Sequence, residues 1–286
     1  MATKRVLMKG NEVIAEAAIR AGCRNYFGYP ITPQTEVMHY MAKKMVQIGG
    51  NFVQAESEVS AINMVYGAAA AGARVLTSSS SPGLALKQEG IGYISNASLP
   101  AVIINMMRGG PGLGTIQPGQ ADYNQSVKGG SNGDYHNVVL APASVQEAVD
   151  MIMEGFDIAD IYRIPVIVLA DGLIGQMMEP VSLDMGEVKE YDKSGWAACG
   201  TKCEREHNVV NSLFIQPDEL ERYNMERYER YAVIEENEVM YEEYMMDDAE
   251  ICVAAFGIAA RVAKNAIVKA REEGIKVGMI RPITLW

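Results

Sequence analysis

Apolar and polar positions alternate along residues 1–183 in a regular order of short apolar runs and longer segments with helical spacing. The short runs predict strands at residues 26–29, 52–55, 75–78, 101–107, 138–140 and 165–170. The longer segments predict helices at residues 13–21, 35–48, 59–71, 84–96 and 145–161. Strands that alternate with helices, several of them apolar on both faces, are typical of a parallel sheet covered on two sides. We therefore predict a doubly wound α/β domain over residues 1–183.

The pattern changes after residue 183. Residues 184–247 are rich in Glu, Asp, Lys, Arg and Tyr, and we interpret them as a charged linker or arm that could form one exposed helix at 217–244. The α/β pattern returns over residues 248–286, with strands predicted at 251–256 and 277–280 around a helix at 259–272. One βαβ unit cannot bury both of its faces. We therefore expect an incomplete second α/β domain, truncated here or completed by another chain.

The composition narrows the class of protein. A hydrophobic fraction of 49% fits a globular chain, and no apolar run reaches the roughly 18–20 residues of a membrane helix. The N-terminus lacks a signal-peptide core, so we expect a cytoplasmic location. The net charge of -11 argues against nucleic-acid binding, which needs clustered Lys and Arg. The four cysteines are too scattered for a disulfide framework.

The segment GYPITPQTE at residues 28–36 joins a predicted strand to a predicted helix. Pro30 ends the strand because proline cannot donate to a sheet ladder. Thr32 followed by Pro33 has the pattern of a helix N-cap with proline at the first helical position. Open α/β sheets bind ligands where strand carboxyl ends meet helix N-termini. The segment is therefore a candidate binding site, although an ordinary stiff turn gives the same pattern.

Glu58 and Arg108 are the candidate functional side chains near that turn. Glu58 opens the helix after a strand, where an acidic residue can also simply complement the helix dipole by about 0.3–1 kcal/mol. Its neighbour Glu56 is a second candidate. Arg108 ends an apolar strand and opens a glycine-rich loop, so its guanidinium can hold a substrate carboxylate or pair with a surface acid. A parallel sheet would bring these residues and residues 30–32 to the same edge.

The motifs that the sequence lacks argue against several kinds of site. The glycine-rich loop has no Gly-Lys-Ser/Thr sequence, so it is not a P-loop. No Gly-x-Ser-x-Gly elbow occurs, and the three histidines do not indicate a triad. The serine run at 78–81 could meet a polar ligand or only cap a helix. Cys199, Cys203 and His207 recur every four residues but lack a fourth ligand, so we do not predict a zinc site.

Three segments match a known family in residue type and spacing: GYPITPQTE (28–36), QAESEVSAINMVYGAAAAGARVLTSSSSPGLAL (54–86) and RGGPGLGTIQPGQAD (108–122). Through them the chain resembles the α-type subunit of the 2-oxoacid:ferredoxin oxidoreductases, in particular the 2-oxoisovalerate and 2-oxoglutarate subclasses. Further matches at 140–151, 205–221 and 260–286 extend the resemblance over almost the whole chain. The resemblance implies a pyrimidine-type thiamine-diphosphate-binding domain at 1–183. It also implies a domain similar to the transketolase C-terminal domain that begins at 248.

The resemblance also implies roles for single residues. Glu58 matches the glutamate that hydrogen-bonds the aminopyrimidine ring of thiamine diphosphate, which makes it the predicted catalytic and cofactor-binding residue. Thr32 and Arg108 match positions near the substrate carboxylate. Pro30 matches the turn beside the cofactor. No metal ligand is implied in this chain.

The resemblance further implies an active site that is shared with a partner subunit. The family's Gly-Asp-Gly motif with a following Asn, which holds the diphosphate and Mg²⁺, does not occur here, and iron–sulfur ligand spacing is missing too. We therefore expect Mg²⁺ and iron–sulfur clusters only in partner subunits. The implied hetero-oligomer contains β, γ and ferredoxin-like subunits. It would oxidatively decarboxylate a 2-oxoacid with CoA and pass electrons to ferredoxin.

Two other functions stay open at this stage. The chain could be a noncatalytic α/β binding or scaffolding module that docks partners through the acidic arm at 235–250. Binding of a small metabolite by the lone chain would favour that alternative. A nucleotide-binding Rossmann protein is disfavoured because no Gly-x-Gly-x-x-Gly follows the first strand.

Overall fold

The structure, a computed structural model, describes residues 5–286. Its strands are β1 (Arg5–Lys9), β2 (Asn25–Gly28), β3 (Asn51–Gln54), β4 (Val75–Ser79), β5 (Ala101–Met107), β6 (Val138–Leu140), β7 (Pro165–Asp171), β8 (Met178–Ser182), β9 (Tyr241–Tyr244), β10 (Ile251–Ala254), β11 (Val277–Pro282) and β12 (Thr284–Leu285). Its helices are α1 (Gly10–Arg20), α2 (Thr35–Ile48), α3 (Glu58–Ala70), α4 (Ser81–Asn96), α5 (Tyr123–Val127), α6 (Val145–Tyr162), α7 (Gly172–Gln176), α8 (Pro217–Asn237) and α9 (Gly257–Glu272).

The main sheet has seven strands in the order β12-β6-β7-β5-β4-β2-β3. All neighbours pair in parallel except β12, which pairs antiparallel with β6 at one edge. Every residue of β4, β5 and β7 is buried, as expected for central strands covered on both faces. The predicted doubly wound α/β fold is confirmed.

Two hydrophobic clusters cover the two faces of this sheet. On one face α1, α2 and α6 bury residues such as Val13, Met41 and Ile152. On the other face α3 and α4 bury residues such as Ile62 and Ile91. Complete burial of an aliphatic side chain of this size stabilises the fold by about 1.5–3 kcal/mol. Both clusters hold the carboxyl edge of the sheet, and the loops on it, in a fixed geometry.

The charged region after the main domain differs from the sequence prediction in one element. The single helix predicted at 217–244 is wrong at its C-terminal end, because α8 ends at Asn237 and residues 241–244 form strand β9. β9 pairs antiparallel with β11, and its residues alternate between exposed and half-buried. This period of two in exposure is the strand pattern, but the residue types Tyr-Glu-Glu-Tyr at 241–244 do not alternate and so do not reveal it in the sequence. Helix α8 also buries Tyr231 and Ile234 in the main core, so it is not wholly solvated.

The last segment forms a three-stranded sheet, in the order β10-β11-β9, with α9 packed on it. Arg281 of β11 joins this sheet to the main domain through an ion pair to Glu147 (2.8 Å), and within the sheet it pairs with Glu242 of β9 (2.9 Å). A second ion pair joins Arg261 to Glu179 at 2.6 Å. Over residues 5–286 we find no helix with the length and apolarity that crossing a lipid bilayer requires.

Candidate active site

The connections of the main sheet reverse direction between β2 and β4. From β2 the chain runs through α2 to the edge strand β3, whereas from β4 it runs through α4 to β5 on the other side. Ligands of open α/β sheets bind in the crevice that such a reversal leaves at the carboxyl ends of the strands. The loop at 29–34 and the start of α4 flank this crevice. It is therefore the first place to look for functional side chains.

The loop at 29–34 does not begin a helix at Thr32, and the predicted N-cap at that residue is wrong. Residues 31–34 form a turn in which the backbone N–H of Gln34 donates to the Ile31 carbonyl (3.1 Å), and α2 begins only at Thr35. The peptide bond between Thr32 and Pro33 is cis. Gln34 donates its side-chain amide to the Tyr29 carbonyl at 3.1 Å. The turn is thus held from inside by Gln34, and the Thr32 side chain remains exposed.

Three polar side chains hold the Pro33 end of this turn. Asn11 and Gln176 both donate to the Pro33 carbonyl, at 2.7 and 3.3 Å, and both also donate to the Glu36 carboxylate. Lys9 completes the group with an ion pair to Glu36 at 2.9 Å. Burial opposes ionisation of Glu36, but the hydrogen bonds outweigh burial and lower its pKa to about 2. The turn is therefore anchored to α1 and α7 at neutral pH.

Glu58 is the first residue of α3 and is only 6% exposed, whereas Glu56 is exposed. The N-cap of the helix is Ser57, whose hydroxyl accepts from the Ser60 backbone N–H at 3.2 Å. None of the ion pairs in the described chain includes Glu58. Its burial distinguishes Glu58 from an acidic residue that complements a helix dipole on the surface.

Gly83, in the first turn of α4, lies directly against this carboxyl. A Cβ atom at Gly83 would stand 2.7 Å from the Glu58 Oε1 atom and closer still to the Ser79 hydroxyl. Any larger residue would have to displace one of them, so the glycine lets the helix start approach Glu58 closely. The hydroxyls of Ser79 and Ser80 are buried and have no hydrogen-bond partner in the described chain. Such orphaned groups normally mark a place that water or a ligand fills.

The serines of the predicted run divide between the two faces of β4. Ser78 faces the α1–α2 side, where it hydrogen-bonds the Tyr26 hydroxyl (2.6 Å) and the Gln34 amide oxygen (2.5 Å). Ser79 faces the α3–α4 side, next to Gly83. The run therefore serves both faces of the strand, which simple helix capping would not require.

Arg108 follows β5 and is 7% exposed. Its Nη1 atom donates to the Thr32 carbonyl (2.9 Å), and its Nη2 atom donates to the Leu113 carbonyl (2.7 Å). Its Nε atom is buried and has no partner in the described chain. No ion pair of residues 5–286 neutralises this guanidinium. Arg108 thus keeps a free positive charge and a free donor at the crevice.

A polar network that the sequence did not reveal fixes Arg108 to the start of α4. The Ser81 hydroxyl accepts from the Arg108 backbone N–H (3.0 Å) and donates to Asp122 (2.6 Å). Asp122 also accepts from the Asn105 amide at 2.9 Å. These contacts join residues that are distant in sequence, so periodicity carries no signal of them. The only hint was that Asp122 ends the matching segment at 108–122.

The structure therefore brings the predicted site residues together around one helix start. Arg108 and Thr32 are in direct contact, and Pro30 lies half-buried in the same loop at 29–34. Glu58 meets the start of α4 at Gly83, two residues after the Ser81 that binds Arg108. Lys87, a buried lysine one turn further along α4, was missed by sequence reasoning.

A large cavity lies elsewhere in the described chain. It has a volume of about 670 Å³ and lies at the amino edge of the sheet, where Ala97, Arg163, Trp196 and His207 contribute to its lining. Orphaned polar groups and a buried carboxyl do not line it, so we place the chemistry at the carboxyl edge. Residues 5–286 contain no group of three or more Cys, His, Asp or Glu side chains arranged to bind a metal ion.

Comparison with known proteins identifies the family. The family model "Pyruvate flavodoxin/ferredoxin oxidoreductase, thiamine diP-bdg" matches residues 16–246, and "Pyruvate:ferredoxin oxidoreductase core domain II" matches residues 249–286. The ketoisovalerate oxidoreductase subunit VorB of Methanothermobacter marburgensis is 56% identical over 286 residues, which is 100% of this chain and 80% of that protein. The chain belongs to the 2-oxoacid:ferredoxin oxidoreductase family. The resemblance seen in the sequence motifs is confirmed.

Two further relatives of this 2-oxoacid:ferredoxin oxidoreductase subunit cover nearly all of the chain. The 2-oxoglutarate synthase subunit KorA of Archaeoglobus fulgidus is 37% identical over 98% of this chain and 81% of that protein. The 2-oxoglutarate:ferredoxin oxidoreductase of Magnetococcus marinus, solved with 2-oxoglutarate, coenzyme A and succinyl-CoA bound, superposes with a TM-score of 0.90 at 27% identity. That match covers 99% of this chain and 54% of that one. The curated relatives are themselves named as subunits of larger enzymes.

Glu58 at the start of α3 and the polar residues around the start of α4 in this oxidoreductase subunit fit the pyrimidine half of thiamine diphosphate. An aminopyrimidine ring carries hydrogen-bond donors and acceptors, so a site for it must offer polar groups and space for the ring. Glu58 would supply the carboxyl and the orphaned hydroxyls of Ser79 and Ser80 the polar groups, and the absence of a Cβ at Gly83 lets these groups and the start of α4 lie close together.

Proposed function

We propose that this chain is the α-type subunit that supplies the pyrimidine side of a shared thiamine diphosphate site. The complete enzyme would oxidatively decarboxylate a 2-oxoacid in the presence of CoA, release CO₂ and the acyl-CoA, and transfer the electrons to ferredoxin. One observation carries the proposal: the Glu58 carboxyl is buried, free of ion pairs, and lies against a glycine and orphaned hydroxyls at a topological switch point.

Glu58 is the proposed catalytic residue. Thiamine diphosphate, when bound, supplies a nucleophilic carbon and an electron sink. The part of Glu58 is to hold a proton at its carboxyl oxygen and to exchange it with a ring nitrogen of the cofactor. A carboxyl group without a competing cation in contact can act both as donor and as acceptor. The first turn of α4 excludes water from one side of that exchange, because Gly83 lets the helix pack directly on the carboxyl.

Arg108, Thr32 and Pro30 are proposed to form the substrate side of the site. The two Nη atoms of Arg108 are oriented by the Thr32 and Leu113 carbonyls, while its Nε atom remains free. A guanidinium oriented in this way can bind the carboxylate of a 2-oxoacid through charge-assisted hydrogen bonds. The exposed Thr32 side chain and Pro30 would bound the space between this carboxylate and the cofactor.

We propose a branched-chain 2-oxoacid, ketoisovalerate, as the preferred substrate. The support is the difference in sequence identity: the chain is 56% identical to a ketoisovalerate oxidoreductase subunit and 37% identical to a 2-oxoglutarate synthase subunit. A substrate with a second carboxylate would need a further cation in the pocket, since an unpaired buried charge is costly.

A partner β subunit is proposed to cover the carboxyl edge and to bring the diphosphate site, with Mg²⁺. The loop after Arg108 supports this arrangement, because Leu113 and Ile116 at its tip are 80% and 62% exposed beside the crevice. Apolar side chains in such a position commonly mark an interaction surface. We further propose γ and ferredoxin-like subunits in the same hetero-oligomer as the route by which electrons leave.

The direct test is to produce the chain together with its partner subunits and to measure ferredoxin reduction. We expect turnover that requires both thiamine diphosphate and CoA, with a kcat/KM for ketoisovalerate that exceeds the value for 2-oxoglutarate by about tenfold or more. Faster turnover of 2-oxoglutarate would overturn the substrate assignment alone. Absence of thiamine-dependent reduction with any 2-oxoacid would overturn the proposed function.

Gly83, which lies against the Glu58 carboxyl, gives a more local prediction. Gly83→Ala should weaken thiamine diphosphate binding by about 5–150-fold, because the added methyl group overlaps the Glu58 carboxyl and overpacking of this kind costs about 1–3 kcal/mol. Calorimetry of the assembled enzyme measures the dissociation constant. Gly67→Ala is the matched control, since a Cβ at Gly67 of α3 has nothing within 4 Å. Equal dissociation constants for both variants would show that the cofactor does not bind beside Gly83.

A further inference from the structure

Lys87 is fully buried on α4, with 0% of its surface exposed. Its Nζ atom donates a hydrogen bond of 2.8 Å to the Thr77 hydroxyl, and no ion pair in the described chain includes it. Lysine is almost never fully buried without a charged partner, because transfer of an ammonium group out of water is costly. A leucine or methionine would fill this position at lower cost. The amino group therefore calls for an explanation other than packing.

The position of Lys87 relative to the proposed catalytic carboxyl of Glu58 provides that explanation. Lys87 is four residues after Gly83 on α4, so both residues point from the same face of the helix. Its partner Thr77 is two residues before Ser79 on β4, so both of these also share one face. Since Gly83 and Ser79 meet at the Glu58 carboxyl, Lys87 and Thr77 form the next layer below it.

Glu58 is the charged group that acts on Lys87. Burial lowers the pKa of Lys87 to about 7, and the single charge that opposes this shift is the carboxylate of Glu58. Of the other ionisable groups nearby, Asp122 and Arg108 are tied to Ser81 at the start of α4. On the remaining sides of Lys87, β4 presents the neutral Thr77 and the exposed face of α4 carries Glu89, which accepts from Tyr93.

We propose that Lys87 is a positioning residue that sets the proton occupancy of the Glu58 carboxyl across the buried layer between them. This inference rests on the proposed function of Glu58 and deepens it. As an ammonium group, Lys87 favours the ionised carboxylate, which can accept a proton. As a neutral amine, it lets the carboxyl keep a proton, which can then be donated. The charge of Lys87 therefore biases which of the two forms the carboxyl takes during its exchange with the cofactor.

The test is Lys87→Met in the assembled enzyme. Loss of a nearby cation favours the protonated carboxyl. We therefore expect the limb of the pH profile of kcat/KM that reports Glu58 to move to higher pH by at least one unit. A second readout does not depend on turnover: the number of protons taken up when thiamine diphosphate binds, obtained by calorimetry in buffers of different ionisation enthalpy. Its pH midpoint should move upward by the same amount.

Three further variants make the result decisive. Glu89→Gln removes a charge from the exposed side of α4 and should leave both midpoints unchanged. Lys87→Gln, which keeps a donor for Thr77 but no charge, should shift them as Lys87→Met does, and it replaces that variant if Met prevents assembly. In the Glu58→Gln background, Lys87→Met should cause no shift, because the group that is tuned has gone.

Two outcomes would overturn the inference. If Lys87→Met or Lys87→Gln lowers the unfolding temperature but leaves both pH midpoints in place, Lys87 only fills the core. If the shift persists without the Glu58 carboxyl, Lys87 acts on another group. Neither outcome affects the proposed function itself, which instead fails if the assembled enzyme shows no thiamine-dependent reduction of ferredoxin with any 2-oxoacid.

Discussion

Glu58→Gln is expected to lower the turnover of the assembled enzyme by about 10²–10⁴-fold, the range typical for loss of a proton-transferring side chain. Glutamine has nearly the same shape as glutamate, so the packing against Gly83 and Ser79 is retained. An amide cannot exchange a proton with the cofactor at neutral pH. The measurement is the initial rate of ferredoxin reduction at saturating 2-oxoacid and CoA.

The neighbouring acid provides the control for this prediction. Glu56 stands two residues earlier and is exposed, so Glu56→Gln should leave the rate within a factor of two or so. Equal losses in both variants would indicate a general effect on the start of α3. A Glu58→Gln enzyme with full activity would remove the catalytic role assigned to this residue.

Arg108→Gln is expected to raise the KM for the 2-oxoacid by roughly 30-fold or more. Truncation of one partner of a buried, hydrogen-bonded charge pair costs about 2–5 kcal/mol, and 1.4 kcal/mol corresponds to a factor of ten. If the guanidinium binds the carboxylate equally in the ground state and the transition state, kcat changes little. Steady-state kinetics at a saturating concentration of CoA separate the two constants.

Arg108 also holds the Thr32 and Leu113 carbonyls, so its structural part has to be separated from binding. Arg108→Lys keeps the charge and loses the planar fork, and we expect an intermediate KM. The dissociation constant for thiamine diphosphate should stay the same in both variants, since Glu58 is untouched. An unchanged KM in Arg108→Gln would exclude a role as carboxylate clamp.

The sequence predicted the regular parts of this fold closely. Helix 35–48 and strands 101–107 and 138–140 have the same limits in the structure, because each combines a strong apolar pattern with a glycine, proline or polar boundary. The short strands β1, β8 and β12 were not predicted. They are five, five and two residues long and lie at sheet edges, where one-sided exposure weakens the apolar pattern.

The candidate site was predictable only in part. Glu58 and Arg108 were found because they follow strands of a parallel sheet and match a family motif. The Thr32 cap failed because a Thr-Pro pair fits a turn as well as a helix start, and long-range contacts decided between them. The Ser81–Asp122 contact joins residues 41 positions apart. The burial of Lys87 likewise depends on how α3 and α4 pack, and the periodicity of the sequence carries no information about that packing.

The central claim is that Glu58 faces thiamine diphosphate in a cleft that this chain shares with a partner. A crystal structure of the assembled enzyme with the cofactor bound tests it most directly. We predict a pyrimidine ring beside Gly83, with a ring nitrogen about 2.6–3.2 Å from a Glu58 carboxyl oxygen. A ring bound elsewhere, or a Glu58 side chain turned away into an ion pair, would contradict the account.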